Sequence, residues 1–259
     1  MVDKLLLYLG QDLQINQDIT VHQPSILDIA KFGEHKYFNT VYTLCSIPSD
    51  FKSELWDLGF NYGKISDFEC FILTTRNISV DDTKLLLGDR ISLKDMVPLK
   101  NPYTDELILF DEEEEILITE EIYTLMVEQI RCMHDIIPKR ERPANKETLD
   151  LLIREDRVKK SKRKDSHEES ILLPLISSMV NSPGFKYDIN TLQNLGVFPF
   201  FDSVRRIQAI NTANSISQGM YSGMVDISKN PNLKNELNWL RDLSNDKRKT
   251  SNVTITTNK

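Results

Sequence analysis

Within the stretch ITVHQPSILDI, Ile19 to Ile29, the spacing of apolar residues changes from two to three and four, and this change limits the fold more than any other feature of the chain. Before it, Leu5, Leu7 and Leu9, then Leu13 and Ile15, then Ile19 and Val21 alternate on one face, separated by the turn segments GQD and NQD. Alternation bounded by turn residues predicts a small antiparallel β-meander. After it, Pro24 holds its predecessor extended, and Ser25 caps a helix whose Ile26, Ile29 and Phe32 keep helical spacing until Gly33. His22 falls at the strand end, with no second histidine or cysteine beside it, so a structural role is expected of it.

Short helices with clear punctuation should follow: Glu34 to Leu44, Asp50 to Leu58 closed by Gly59, and one opened by SDFE, where Ser66 and Glu69 match a capping box. Phe51, Leu55, Trp56, Phe60, Phe68 and Phe71 are expected to form one compact core cluster. After Gly88 the chain reads as irregular until ELILFDEEEEILIT, which predicts two strands, Leu107 to Phe110 and Ile116 to Ile118, around an acidic turn. Calcium loops alternate their carboxylates and bend at a glycine, and the four glutamates here do neither, so a solvated hairpin tip is expected. Ile122, Met126, Ile130 and Met133 then line one stripe of a helix that ends before Pro138.

Charge divides the chain at IIPKRERPANK, Ile136 to Lys146. Residues 1–137 carry 11 Lys+Arg against 25 Asp+Glu, a net −14, and residues 138–259 carry 21 against 14, a net +7. This break defines an acidic α+β domain at 1–137, a basic charged helix or linker at 138–165, a helical domain at 166–243 and a frayed polar tail at 244–259. The linker bears Lys159, Lys160, Lys162, Arg163 and Lys164, a run able to dock electrostatically on the acidic half of a neighbouring copy. It lacks interleaved aromatics and the whole chain is acidic, so a solvated helix end is expected and a nucleic-acid partner is not. Beyond it, SILLPLISSMVN reads as a helix buried on all sides. A long helix from about Pro199 should turn Phe201, Val204, Ile207 and Ile210 inward, and a final helix from Pro231 should align Leu233, Leu237 and Leu240 with Trp239 beside them. The fold class is thus α+β: a small N-terminal β-meander with short helices and a second β-hairpin, then a mainly α-helical C-terminal bundle.

Nothing in the sequence carries a catalytic or cofactor signature. The nine glycines are isolated, and no His-x-x-x-His, Cys-x-x-Cys or Gly-x-Ser-x-Gly occurs. Cys45, Cys70 and Cys132 are odd in number and set in apolar helical patterns, as reduced core thiols are. No apolar run approaches the roughly 20 residues that span a bilayer, and MVDKLLLYLGQD is too short in apolar residues for a secretory signal, so a cytoplasmic, non-enzymatic protein without cofactor or metal is expected.

The meander followed by ITVHQPSILDI and GEHKYF resembles the tail assembly chaperones of tailed bacteriophages, and YDINTLQNLGVFPFFDSVRRI and GMYSGMVDISKNPNLKNELNWLRDL resemble the helical segments of tail-region proteins from phages of Gram-positive hosts. The likeness covers about a third of the chain, which departs from the pattern in its length, its acidic hairpin and its basic linker. It implies a protein in the host cytoplasm that recognises the phage tape-measure or tail-tube proteins, with self-association along them, through apolar grooves that accept an amphipathic helix. Phe198, Phe200, Phe201 and Tyr221, with Trp239 as a further anchor, are the candidates for that groove. A structural virion component, of connector or baseplate type, is the competing class, and a nucleic-acid-binding protein using residues 154–164 is a third.

Overall fold

The computed structural model describes residues 2–101, 104–164, 169–228 and 231–243. The tail from Ser244, expected to fray, lies outside the described residues. The architecture is α+β, but the chain does not begin as a strand. Residues Lys4–Tyr8 form a short helix, α1. The Asp3 carboxylate accepts the amides of Leu5 at 3.0 Å and Leu6 at 3.2 Å, and Gly10, at φ 82°, ends the turn. Leucines at alternate positions fit a strand and a helix equally; the aspartate cap decides the outcome. Of the expected meander, a hairpin remains, β1 (Leu13–Gln14) paired antiparallel with β2 (Thr20–Val21).

The helices that follow start where their caps predict. Helix α2 (Ile26–Phe32) opens on a complete Ser25/Asp28 capping box, and α3 (Glu34–Cys45) continues past Gly33. A 3-10 turn at Pro48–Asp50 leads into α4 (Lys52–Asp57), and another at Tyr62–Lys64 precedes α5 (Asp67–Thr74), where Ser66 and Glu69 exchange bonds of 3.1 and 2.7 Å. Helix α6 (Val80–Leu87) ends at Gly88.

Three antiparallel strands come next, in the order β3 (Val97–Lys100), β4 (Leu107–Asp111), β5 (Ile116–Ile118). Strand β3 falls in a stretch read as irregular, because Pro98 argues against a strand; it lies at the sheet edge, where a missing amide costs nothing. The acidic run is the solvated tip of the β4–β5 hairpin. Asp111 accepts the amides of Glu113 and Glu114 at 3.0 and 3.2 Å and is buried, while all four glutamates are exposed. Helix α7 (Glu120–Met133) packs Tyr123, Met126, Val127, Ile130 and Met133 inward.

The basic segment is a charged helix, as expected: Lys146–Lys164 form one continuous helix, α8, seated on α4 of the same chain, with Arg157 and Lys159 exposed. Helices α9 (Leu172–Val180), α10 (Ile189–Gln193), α11 (Val197–Tyr221) and α12 (Pro231–Leu237) complete the chain. Helix α9 is not buried on all sides, since Leu172 and Met179 face the core while Leu173 is exposed.

One apolar core runs across the charge break. It joins Leu7, Ile29, Tyr37, Leu44, Phe71 and Met126 to Leu172, Leu192, Val197 and Phe200. The expected aromatic cluster is split. Phe68 and Phe71 pack on Tyr123 in this core, Leu55 and Phe51 belong to a small separate cluster under α8, and Trp56 and Phe60 are exposed.

The segment between β2 and α2 holds the two ends of the chain together. Gln23 donates to the Leu7 carbonyl at 2.8 Å and accepts the Phe198 amide at 3.1 Å, which caps α11. Backbone bonds from Val197 to Pro24 and from Ile26 to Leu195 flank it, each 3.0 Å. A Cβ at Gly196 would stand 2.6 Å from the Gln23 side-chain oxygen, so any larger residue there would displace the Gln23 side chain from these bonds. His22 serves the same tie: its Nδ1 meets Asp12 at 2.8 Å and its amide donates to Leu86.

Candidate partner-binding site

The first turns of α11 begin at a glycine with no side-chain cap of its own and enter the core directly, which fixes the fate of the phenylalanines there. Phe200 is fully buried and Phe198 nearly so, with Tyr8 set edge-on against the Phe198 ring at 6.3 Å. Phe201, half-buried, lies against Phe38 of α3 at 6.4 Å. Phe200 belongs to the core and Phe201 packs at its edge, while Phe198, though nearly buried, reaches the wall of a neighbouring cleft. Tyr221 and Trp239 are different: Tyr221 is 93% exposed, with Met224 beyond it at 87%, and Trp239 is 43% exposed, with Leu240 at 72%.

The two exposed aromatics do not share one surface. Arg206 of α11 donates to the carbonyls of Trp239 and, at 3.1 Å, Arg241, so Trp239 sits beside residue 206. Tyr221 lies fifteen residues further along the same helix, about 22 Å away at 1.5 Å per residue. Tyr221 marks the tip of the α11–α12 hairpin and Trp239 its base.

At that base lies a cleft of about 1070 Å³, walled by the start of α1, the end of α7, Ile136 to Pro138 and the first turns of α11. Lys4 of α1 pairs with Asp242 across its mouth at 3.1 Å, which places α1 next to the Trp239–Leu240 turn. Leu7 of α1 is buried and the Tyr8 ring meets Phe198 edge-on, whereas Leu5, Leu6 and Leu9 are exposed. Exposed apolar side chains thus flank the cleft's neighbourhood: leucines of α1, whose Lys4 lines it, and Trp239 and Leu240, just before the lining residue Asp242.

Several of the cleft's charged groups have partners. Arg205 bonds Asp135 at 2.7 Å and Asp202 at 3.4 Å, and Arg131 donates twice to the Cys45 carbonyl, at 3.1 and 2.7 Å. Burial raises the Cys132 thiol in the cleft wall and pushes Cys45 and Cys70 up to about 12, which keeps them protonated and poor nucleophiles. Among the described residues no group of three His, Cys, Asp or Glu is placed to hold a metal ion. What this site presents to a ligand is a polar floor near exposed apolar side chains, with the buried Arg205 Nε left without a hydrogen-bond partner among the described residues. Leu5, Leu6, Leu9 and Leu240 were not candidates on sequence grounds; the signal for the first three was the cap at Asp3, which turns the leucine run into a helix.

The basic run also finds its counterparts inside the chain. Lys160 reaches Asp156 at 2.8 Å, the Glu54 carboxylate and the Asp50 carbonyl, and Arg157 pairs with Asp57. This helix docks on the acidic α4 of its own chain through Arg157 and Lys160. Lys159 is exposed, and the side chains of Lys162, Arg163 and Lys164 lie outside the described residues.

Residues 162–244 match the family model described as the YomV second domain. That family is phage-associated, named from Bacillus phage SPBc2, so the chain carries a phage-associated domain over about a third of its length, from α9 to α12. The match does not single out tail assembly chaperones. No curated protein and no solved structure shows detectable similarity to the chain. Among the described residues no helix is long and apolar enough to cross a membrane.

Proposed function

We propose that this protein acts in phage morphogenesis without catalysis, in the host cytoplasm, by holding another polypeptide on an apolar surface, and that it is a tail assembly chaperone whose partner is the tape-measure protein. One observation carries the reading. Exposed leucines of α1 and the exposed Trp239–Leu240 turn lie close to one cleft, joined by the Lys4–Asp242 pair whose two residues line it. Large apolar side chains held rigidly in the open, beside a concave surface, suit the apolar face of an amphipathic helix. Trp239 and Leu240 belong to the phage-associated segment, which ties the surface to that family. A small apolar footprint also suits a chaperone, because each contact must be weak enough for tail-tube subunits to displace it while many copies together keep the partner soluble.

The test is affinity purification of the tagged protein from infected cells, with partners identified by sequencing. The wild-type chain should bring down a long helical phage protein. Leu5→Asp with Leu9→Asp, and separately Leu240→Asp, should each reduce its recovery at least about tenfold, the effect of removing one hot-spot contact. Both variants should keep the wild-type melting temperature within a few degrees, since these side chains are exposed. Unchanged recovery with either variant contradicts the assignment of this surface.

A further inference from the structure

Helix α7 presents one face to a second hollow, of about 370 Å³, which adjoins the cleft: Glu128 and Arg131 belong to the walls of both. The start of α5 closes its other side with Ile65, Ser66 and Asp67. Most of its polar groups are satisfied within the chain. Asp67 accepts two bonds from Arg140, at 2.9 and 2.5 Å, and Arg131 donates twice to the Cys45 carbonyl. The Ser66 hydroxyl oxygen accepts the Glu69 amide, and the Thr124 hydroxyl donates to the Glu120 carbonyl. Three groups are left over, all on α7. Tyr123 is only 3% exposed, and its buried hydroxyl has no hydrogen-bond partner among the described residues. That hydroxyl lies within electrostatic reach of Arg131 and Asp67, two other residues of the wall. Glu120 and Glu128 are exposed, and neither forms an ion pair among the described residues.

These leftovers determine what the hollow can hold. A buried hydroxyl without a partner costs free energy that a polar occupant at that point would relieve. The two free carboxylates stand about 12 Å apart along the helix and bracket Tyr123 and Thr124. The wall of the hollow holds three carboxylates against two guanidiniums, and that of the adjoining cleft five carboxylates against three basic side chains. Both therefore favour a cation over an anion. Ile65 and Val127 add apolar wall along which the methylenes of a long side chain can lie. We propose that this hollow is a socket for a lysine or arginine side chain of the polypeptide held at the adjoining cleft. The methylenes lie along Ile65 and Val127, and the cationic head donates to the Tyr123 hydroxyl oxygen between Glu120 and Glu128. The partner's helix is thus apolar where it meets Trp239 and Leu240 and basic where it crosses α7. The inference rests on the cleft being the partner's seat, and it adds the charge which that seat selects.

The probes are fluorescent helical peptides of leucine and alanine, apolar on one face and identical but for a single lysine, glutamine or glutamate at the edge of that face. Titrated into the full-length protein, the lysine peptide should bind at least about fivefold more tightly than the glutamine peptide, the scale of a partly desolvated charge contact, and the glutamate peptide most weakly. Glu120→Gln with Glu128→Gln should bring the lysine peptide down to the affinity of the glutamine peptide. Tyr123→Phe should narrow the preference at unchanged stability, because the hydroxyl it removes has no partner. Neutralising two exposed carboxylates elsewhere, Glu112→Gln with Glu113→Gln at the β4–β5 tip, should leave the preference intact. A wild-type protein with no preference for lysine overturns the proposal. So does a preference that outlasts the change at Glu120 and Glu128, that Tyr123→Phe leaves whole, or that is lost equally on neutralising the hairpin tip. Leu240→Asp separates the socket from the cleft, since it should weaken all three peptides alike. That effect without a lysine preference sinks the socket and leaves the cleft; a lysine preference indifferent to Leu240→Asp keeps the socket and contradicts the cleft as the partner's seat.

Discussion

Replacing Phe200 with alanine should lower the unfolding free energy by about 3–5 kcal/mol, the cost of emptying a large buried aromatic site, and the whole chain should still melt in one transition. Phe200 is fully buried in a core that includes Tyr37 and Leu44 of α3, Phe71 of α5 and Met126 of α7, so the cavity weakens elements on both sides of the charge break. Its neighbour Phe201 reaches Phe38 of α3 directly. Tyr221→Ala is the control: at 93% exposure its loss should change stability by no more than about 0.5 kcal/mol. Chemical denaturation of both variants decides the matter. A loss below about 1 kcal/mol for Phe200→Ala, together with loss of partner binding, would make Phe200 a docking residue after all.

Acidification should destabilise the protein well before its carboxylates titrate. His134 caps α7 and is half-buried. Its Nδ1–H donates to the Ile130 carbonyl at 2.7 Å, and its Nε2 accepts from the Tyr37 hydroxyl at 2.8 Å, with Phe38 edge-on to the ring. Burial holds the imidazole neutral and lowers its pKa from 6.5 to about 4. A folded-state value below the unfolded one means that the unfolded chain takes up the proton first. The stability is therefore fully present above pH 6.5 and is lost as the pH falls from there through about 4. Linkage gives a loss of about 2 kcal/mol between pH 7 and pH 5, and about 3 kcal/mol by pH 4. Denaturant titrations across this range should show the slope, and His134→Gln should flatten it. The same slope in that variant would contradict the assignment.

Local chemistry made much of this fold legible. The capping boxes at Ser25 and Ser66, the turn under the four glutamates and the stripe on α7 are each set by residues within a few positions of one another. The errors have physical causes. Leucines at positions 5, 7 and 9 satisfy either period over so short a run, and only the Asp3 bonds distinguish them. Pro98 disguised an edge strand as a loop. The bonds from Gln23 to Leu7 and to Phe198, the latter 175 positions away, and the seating of Asp156 on Ser53 at a separation of 103 arise only when the chain has folded. The site was less legible than the fold, because aromatics at helical spacing look alike whether buried or exposed. Phe198, Phe200, Phe201, Tyr221 and Trp239 all fitted one stripe of reasoning, yet three enter the core and two stand about 22 Å apart on its surface.

Quantitative mass spectrometry of purified phage particles, set against the infected-cell lysate from which they came, is the sharpest test of transient binding to a tail component. The chain should be abundant in the lysate in complex with the tape-measure protein, and missing from the finished particle or present far below one copy per tail. A fixed, integral copy number in the particle would contradict a chaperone and make this protein a permanent part of the virion.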